Sequence, residues 1–290
     1  MQDEHEENRH SWNAAVLAHE SHRGDQVRFF AEGGTTLFPE ELRLLGDIDG
    51  QSIAHLQCNT GQDSLSLARL GATVVGVDLS DTAIERARNL SEATGIPATF
   101  VRADLFDWFE QAHEDGTGFD CAFASYGVVC WISDLDRWAG GIASILKPGG
   151  RFVLLDFHPV AAMFNADWQL RYRYGGGQRR SLPEGIGDYV GASQGGLTPA
   201  GFVEGQGSFV NPHSAHLYLW GLGEIITALA QAGLTIERLD EFPFSNGERA
   251  FTDMQERPGR RMFPPDHVPE IPLMFGLRAR KSIAAGKDGG

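Results

Sequence analysis

The sequence predicts an α/β protein: a doubly wound, seven-stranded, mostly parallel sheet with a C-terminal antiparallel hairpin, plus a cap made by the N-terminal segment and by an insertion after the fifth strand. Three observations carry this. Short apolar runs alternate with amphipathic helical stretches from Ser52 to Phe157, and parallel neighbours need such crossovers. Glycine or proline punctuates the junctions, as at Gly71, Gly95-Ile96-Pro97 and Lys147-Pro148-Gly149-Gly150. A helix, a strand and another strand then close the chain.

Taken in order, residues 1–50 read as a helical cap segment and 51–157 as the core. Ser52 to Gln57 and Thr73 to Asp78 are apolar runs short enough for buried strands. Between them Leu65, Leu67, Ala68 and Leu70 place one apolar face on a helix over Asp63 to Leu70, stopped by Gly71. A second helix spans Asp81 to Thr94, with Ser80 or Asp81 as its N-cap and Ala83, Ile84, Ala87 and Leu90 at helical spacing. Further strands follow at Ala98 to Arg102, Phe119 to Ala124 and Arg151 to Phe157. The rhythm breaks over 158–214, a Gly- and aromatic-rich stretch too long for an ordinary loop, which is expected to form a lid. In 215–283, the rest of the core, His216 to Ala232 reads as a helix and Leu234 to Asp240 and Pro272 to Arg280 as strands. Residues 284–290 read as a frayed tail.

Composition removes several classes of function. Apolar residues make up 42% of the 290, and 18 Phe and 6 Trp are available to fill a core, which excludes disorder and fibrous repeats. With 24 basic and 39 acidic side chains the net charge is −15, a field that repels nucleic acid and anionic membranes. No apolar run is long enough to span a bilayer and no export signal opens the chain, so a cytoplasmic location is expected. Cys58, Cys121 and Cys130, an odd number, are then reduced thiols, and Cys58 and Cys121, in or beside buried strands, are expected to pack as small hydrophobes. The Asn89-Leu90-Ser91 glycosylation pattern falls on a helix and is discounted.

In open α/β sheets ligands sit beyond the carboxyl ends of the strands, where strand order reverses. The turn Gln57-Cys58-Asn59-Thr60-Gly61 falls there, followed by a helix whose positive end suits a carboxylate. Asp78, ending the second strand, is placed to accept from two vicinal hydroxyls of a ribose, and Asp104, ending the third, from an exocyclic amine. Either acid taken alone is as readily a helix N-cap, but with the glycine turn the two form a line long enough for an adenosine.

On these residues the chain, from Ser52 to Phe157, resembles the class I (Rossmann-like) S-adenosylmethionine-dependent methyltransferases of the small-molecule type. Ile53 to Gly61 looks like that family's first motif, Val74 to Leu79 its second, Ala103-Asp104-Leu105 its adenine contact, and Leu146 to Arg151 its turn before strand five. The resemblance implies S-adenosylmethionine binding, with Asp78 on the ribose, Asp104 on the adenine amine, and Leu79, Leu105 and Ser125 beside them. It departs where His55, Gln57 and Asn59 replace an acid and two glycines, leaving only Gly61. Gln57 and Asn59 then offer side-chain hydrogen bonds instead of close backbone approach, Asn tolerating the left-handed conformation. Asp63 is the candidate for the cofactor's ammonium, or else a charge at a helix N-terminus. The Asn/Asp-Pro-Pro-Tyr type motif of nucleic-acid amino-methylating enzymes is absent after Ala124.

Methyl transfer needs alignment, exclusion of water and, for some acceptors, a base. Tyr126, His158 and His216 are the catalytic candidates, His158 first by its place just past strand five. Trp12, His19, Phe29, Phe30, Tyr126, His158, Tyr172 and His213 are expected around the acceptor, the aromatics also suiting a sulfonium; each could equally pack the cap's own core. His213-x-x-His216 without a matching acid or Cys cluster argues against a metal. Arg171, Arg173, Arg179 and Arg180 form the only basic cluster, suited to an acceptor's carboxylate or phosphate or else a solvated loop.

The function expected is therefore methyl transfer from S-adenosylmethionine to an oxygen or nitrogen of a small, plausibly aromatic or heterocyclic, metabolite, with no nucleic-acid or membrane partner and a homodimer left open. Two other readings fit the same pattern. One is a nicotinamide-dependent oxidoreductase, although Gly-x-Gly-x-x-Gly is missing from the first turn. The other is a module that binds S-adenosylmethionine without transferring its methyl.

Overall fold

The structure is a computed structural model that describes residues 2–283; residues 284–290, expected as a tail, lie outside the described residues. Three helices lead in: α1 (Gln2–Ser21), α2 (Gln26–Ala31) and α3 (Pro39–Leu45). The alternating core follows as β1 (Ser52–Leu56), α4 (Gln62–Arg69), β2 (Thr73–Asp78), α5 (Asp81–Thr94), β3 (Thr99–Arg102), α6 (Leu105–Glu114), β4 (Phe119–Ser125), α7 (Leu135–Ile145) and β5 (Leu146–Phe157). After it come β6 (Gln178–Leu182), α8 (Tyr189–Ser193), β7 (Ala215–Leu219), α9 (Leu222–Gln231), β8 (Leu234–Phe242), β9 (Ser245–Asn246), β10 (Gln255–Arg257), β11 (Arg261–Phe263) and β12 (Met274–Lys281).

Seven strands form the main sheet in the order β3-β2-β1-β4-β5-β12-β8. Pairs from β3 to β5 are parallel, and β12 runs antiparallel to both its neighbours, β5 and β8. The order reverses between β1 and β4, so the ligand crevice is expected beyond Leu56 and Ser125. Small sheets occupy the connections: β6 pairs with β7, and β9, β10 and β11 make a three-stranded sheet inside the long link from β8 to β12.

Local chemistry sets the helix ends. Ser80 Oγ accepts from Ala83 N at 3.1 Å to cap α5, and Asp104 and Asp134 cap α6 and α7 in the same way. Helices cover both faces of the sheet. On one face α6, α7 and α9 bury Trp108, Phe109, Trp138, Ile142, Ile225 and Leu229 against the strands. On the other, α3 and α4 bury Leu44, Leu45 and Leu67. Gly141 in α7 is a packing glycine, since a Cβ there would stand 2.1 Å from the ring of Phe109.

One expected helix is corrected. His216 to Ala232 is not a single helix: residues 215–219 form β7, and only Leu222–Gln231 is helical. Ala215, His216, Tyr218 and Leu219 are buried where β7 pairs with β6 and packs under α1. That pairing partner lies some 35 residues away in sequence, so no local periodicity announces it.

Candidate active site

A cavity of about 420 Å³ opens at the carboxyl ends of β1, β2, β3 and β4. Its floor begins in the turn after β1, where Gln57, Asn59 and Gly61 take φ of +53°, +48° and +79°, a left-handed residue at every second position. Such strain in non-glycine residues persists where surrounding structure enforces it and tends to mark functional turns. The Gln57 amide donates to Val128 O at 3.1 Å, and its buried Oε1 has no partner, leaving an acceptor beside the cavity. Asn59 N donates to Asp78 Oδ2 at 2.8 Å, and the Asn59 side-chain oxygen accepts from Thr60 N, so that oxygen serves its own loop. Gly61 has a different role from the one expected. It does not line the cavity, and a Cβ there would lie 2.8 Å from Ala87 and from the Phe100 ring.

Asp78 and Leu79 line the same cavity one strand over. The Asp78 carboxylate accepts from Ser80 N at 2.9 Å and Asn59 N at 2.8 Å, one amide per oxygen, which leaves lone pairs on both for a diol. Burial raises its pKa, and the backbone amides that face it oppose the rise without cancelling it. Next along the edge, Asp104 caps α6 through Phe106 N at 2.8 Å, with Leu105 beside it. Its other oxygen meets His5 Nδ1 at 2.5 Å, while His5 Nε2 lies 2.8 Å from Ser133 Oγ. Burial acts to raise the Asp104 pKa, but His5 and the amides at the start of α6 outweigh it and hold the acid below its ordinary value.

His55 stands at the end of β1, against the ring of Phe123 and 2.7 Å from Ser64 Oγ. Burial lowers its pKa to about 4 against the pull of Asp63, so the imidazole is neutral near pH 7. Asp63, in the first turn of α4, accepts from Thr36 Oγ1 at 2.5 Å and Ser125 Oγ at 3.2 Å. Gln57 Oε1 and the Asp63 carboxylate thus form an acceptor-rich polar end able to receive an ammonium. Orphaned Gln57 Oε1, the open lone pairs of Asp78 and the apolar walls from Leu79 and Leu105 fit an S-adenosyl nucleoside carrying an amino-acid tail.

Beyond β4 the cavity changes character. Tyr126 takes φ of +51°, and its hydroxyl accepts from Asn246 Nδ2 at 2.9 Å. Burial, and then the charge of Glu41, push its pKa far up, so Tyr126 keeps its proton and cannot act as a base. Glu248 follows on the same wall. Its carboxyl accepts no hydrogen bond among the described residues, and burial, with Asp156 behind it, pushes it up to about 7. Asp156 itself, at the end of β5, accepts from the amides of Gly127, Val128, Val129 and Phe157 at 2.5–3.2 Å. That bracket fixes the turn after β4. Asp156→Ala strands four amides, so it is expected to cost about 3 kcal/mol or more of folding stability, read as a lower chemical-denaturation midpoint.

Several expected acceptor-side residues lie elsewhere. His158 lines a second cavity, of about 390 Å³, and not the first; its Nε2 lies 2.9 Å from Glu241, and burial lowers its pKa despite that carboxylate. His216 faces neither cavity: its backbone N–H donates to Asn8 Oδ1 at 2.7 Å and its ring Nε2 meets Glu7 at 2.8 Å, so it pins α1 to β7. His213 packs against His10, the rings tilted by 33° with centroids 5.3 Å apart, and lines neither cavity. His19, kept neutral by burial that lowers its pKa to about 4, bonds Gly187 O. Phe29 and Phe30 pack with Cys58, Leu65, Ile84 and Phe100 in a separate small core. Tyr172 lies under the guanidinium of Arg180 at 3.8 Å and lines neither cavity. Trp12 does line the first cavity, edge-on to Trp131 and Tyr189. All three thiols are held protonated by burial, Cys121 up to about 12. Among the described residues no group of three His, Cys, Asp or Glu is placed to hold a metal, and no helix is long and apolar enough to cross a membrane.

The N-terminal cap was expected, but not the polar contacts by which α1 lies as a bar across the site. Glu20 accepts from Thr60 at the first turn, Asn13 bonds Ser80 and Asp81 at the second, and His5 bonds Asp104 at the third. Trp12 and Ala15 seat the helix on Ile186, Ala215 and Trp131, but its polar contacts to the strand ends join segments far apart in sequence, which no local pattern announces. Asn246, Glu248 and Arg260 were missed for a similar reason, coming from the β9–β11 sheet inserted before the last strand.

Comparison with known proteins follows the same geometry. Residues 53–150 match the model of a family described as a methyltransferase domain. An uncharacterized methyltransferase of Synechocystis is 36% identical over 130 residues, covering 43% of this chain and 57% of its own length, so the chain spans little more than half of that relative. A ubiquinone biosynthesis O-methyltransferase of Chelativorans is 28% identical over 185 residues, 61% of this chain and 68% of that protein. Among solved structures, an S-adenosylmethionine-dependent methyltransferase from Listeria monocytogenes superposes with a TM-score of 0.56 over 84% of this chain and 95% of its own, at 16% identity, a likeness of fold.

Proposed function

We propose, from the premise that this chain carries a class I S-adenosylmethionine-dependent methyltransferase domain, that it transfers a methyl group from S-adenosylmethionine to an oxygen or nitrogen of a small molecule. One observation carries the reading. A single cavity joins the polar end made by Gln57, Asp63, Asp78 and Asp104 to an acceptor end where Glu248 stands with no bonding partner among the described residues. S-adenosylmethionine, the cofactor of this domain family, supplies a methyl on a positively charged sulfur that departs as a neutral thioether, keeping the electrons of the broken bond.

The chain's own residues do the rest. Asp78 and Asp104 hold the nucleoside, and Gln57 and Asp63 face its amino-acid tail. Trp12 and Trp131 close the cavity to water beneath α1. Glu248 takes the proton from the acceptor's O–H or N–H, since a carboxyl that titrates near neutrality is matched to that work. The −15 charge favours a small acceptor over nucleic acid, and the name of the Chelativorans relative agrees with a small molecule methylated at oxygen.

Calorimetric titration tests this first. Both S-adenosylmethionine and S-adenosylhomocysteine are expected to bind while NADH does not. Binding of neither sulfur nucleotide to folded protein would sink the reading.

A further inference from the structure

The second cavity, lined by His158, shares Gly127, Cys130, Phe157 and Glu248 with the first. The two spaces therefore adjoin along these residues, a neck between them formed by the ends of β4 and β5 and the β9 turn, with Glu248 lining both. Past the neck the walls are apolar, with Phe164, Leu217, Trp220, Phe251, Leu273 and Phe275. Arg173 and Arg180 line this chamber and not the first one.

Acids outnumber bases 39 to 24, yet neither Arg173 nor Arg180 forms an ion pair among the described residues, and both line the one chamber. Arg180 is held in place: it donates to the Tyr172 hydroxyl at 2.7 Å, with its guanidinium carbon 3.8 Å from the centre of that ring. A guanidinium fixed by a neutral partner keeps its charge and remaining donors for something else. The other charges on the chamber do not cancel them. Asp156 is spent on four backbone amides, Glu248 stands at the neck, and burial lowers the His158 pKa, favouring the neutral ring.

We propose that this second cavity seats the methyl acceptor, and that the acceptor is an elongated, largely apolar molecule whose far end is an ionised carboxylate or other acid bound by Arg173 and Arg180. Its near end, a hydroxyl or amine, reaches through the neck to Glu248 and the first cavity. This names the substrate class within the methyl-transfer reading and rests on it.

The test is calorimetry on the full chain, with and without S-adenosylhomocysteine, using para-hydroxyphenylpropanoate and omega-hydroxydodecanoate, each against its neutral amide. At least one acid is expected to bind about tenfold or more tightly than its amide, the advantage of charge-assisted hydrogen bonds over neutral ones. The Arg173→Gln/Arg180→Gln double variant should lose that gap while keeping its affinity for S-adenosylhomocysteine. Arg173→Glu, at an exposed position where folding is not at stake, should favour the amide instead. Equal affinity of acid and amide for the unaltered protein, or a gap that survives the double variant, overturns the proposal. Failure of S-adenosylhomocysteine to bind would instead strike the methyl-transfer reading, because the acid–amide gap is also read without the nucleotide.

Discussion

Asp78→Ala is expected to weaken S-adenosylmethionine binding by about a hundredfold or more, since charge-assisted hydrogen bonds to two hydroxyls are lost together. The carboxylate also organises the floor of the site. Its two oxygens accept from Ser80 N and Asn59 N, and the second of these holds the strained turn at Gln57 and Asn59. Removing it frees that turn as well as the ribose acceptor. Asp78→Asn keeps one acceptor oxygen and should lose less. Titration calorimetry reads both variants, with thermal unfolding as the control that each is folded; unchanged affinity in Asp78→Ala would mean that the nucleoside lies elsewhere.

Glu248→Gln is expected to lower kcat by about a hundredfold to ten-thousandfold at pH 8, the range found for loss of a general base. Its pH dependence is the sharper signature. With a carboxyl that titrates at about 7, transfer should rise with pH through neutrality and level off above it, because only the ionised form takes a proton. The glutamine variant should show a flat profile and undiminished affinity for S-adenosylmethionine. Stability moves the other way. The folded carboxyl titrates above its ordinary value, so it favours the fold at low pH and opposes it progressively as pH rises from the unfolded value toward about 7. Glu248→Gln should therefore melt higher than the unaltered protein at pH 8 and no higher near pH 4. An unaltered pH–rate profile in the variant would assign the proton to another group.

The core of the fold was legible because its signals are local. Each strand from Ser52 to Phe157 is an apolar run bounded by turn residues, and the helix Asp81–Thr94 falls between a serine cap and Gly95, as its spacing predicts. The carboxyl-edge acids were legible for the same reason, since a strand end is a position in sequence as well as in space. Even so, Gly61 was misread. A glycine needed for close packing against Phe100 looks no different in sequence from one needed for a ligand.

Histidines illustrate what local reading could not reach. His158 follows β5 directly, so its position along the chain was right, but the side chain turns into the second cavity and toward Glu241. His216 looked free in a presumed helix and is instead one rung of the seam between α1 and β7. His5, which went unremarked, reaches Asp104 across nearly a hundred residues.

By itself, then, the sequence determined the alternation of strands and helices, the sheet edge at which the first cavity opens and two acids that line it. All of these follow from hydrophobic period and turn chemistry over windows of a few residues. Only the tertiary structure decided which polar groups meet there: α1 laid across three strand ends, Glu248 brought in from the β9 turn, and two unpaired arginines set around an apolar chamber. The contacts of α1 with the strand ends alone join residues 40 to 99 apart in sequence. They are settled by burial and by the pairing of each buried polar group, which no local window of sequence records.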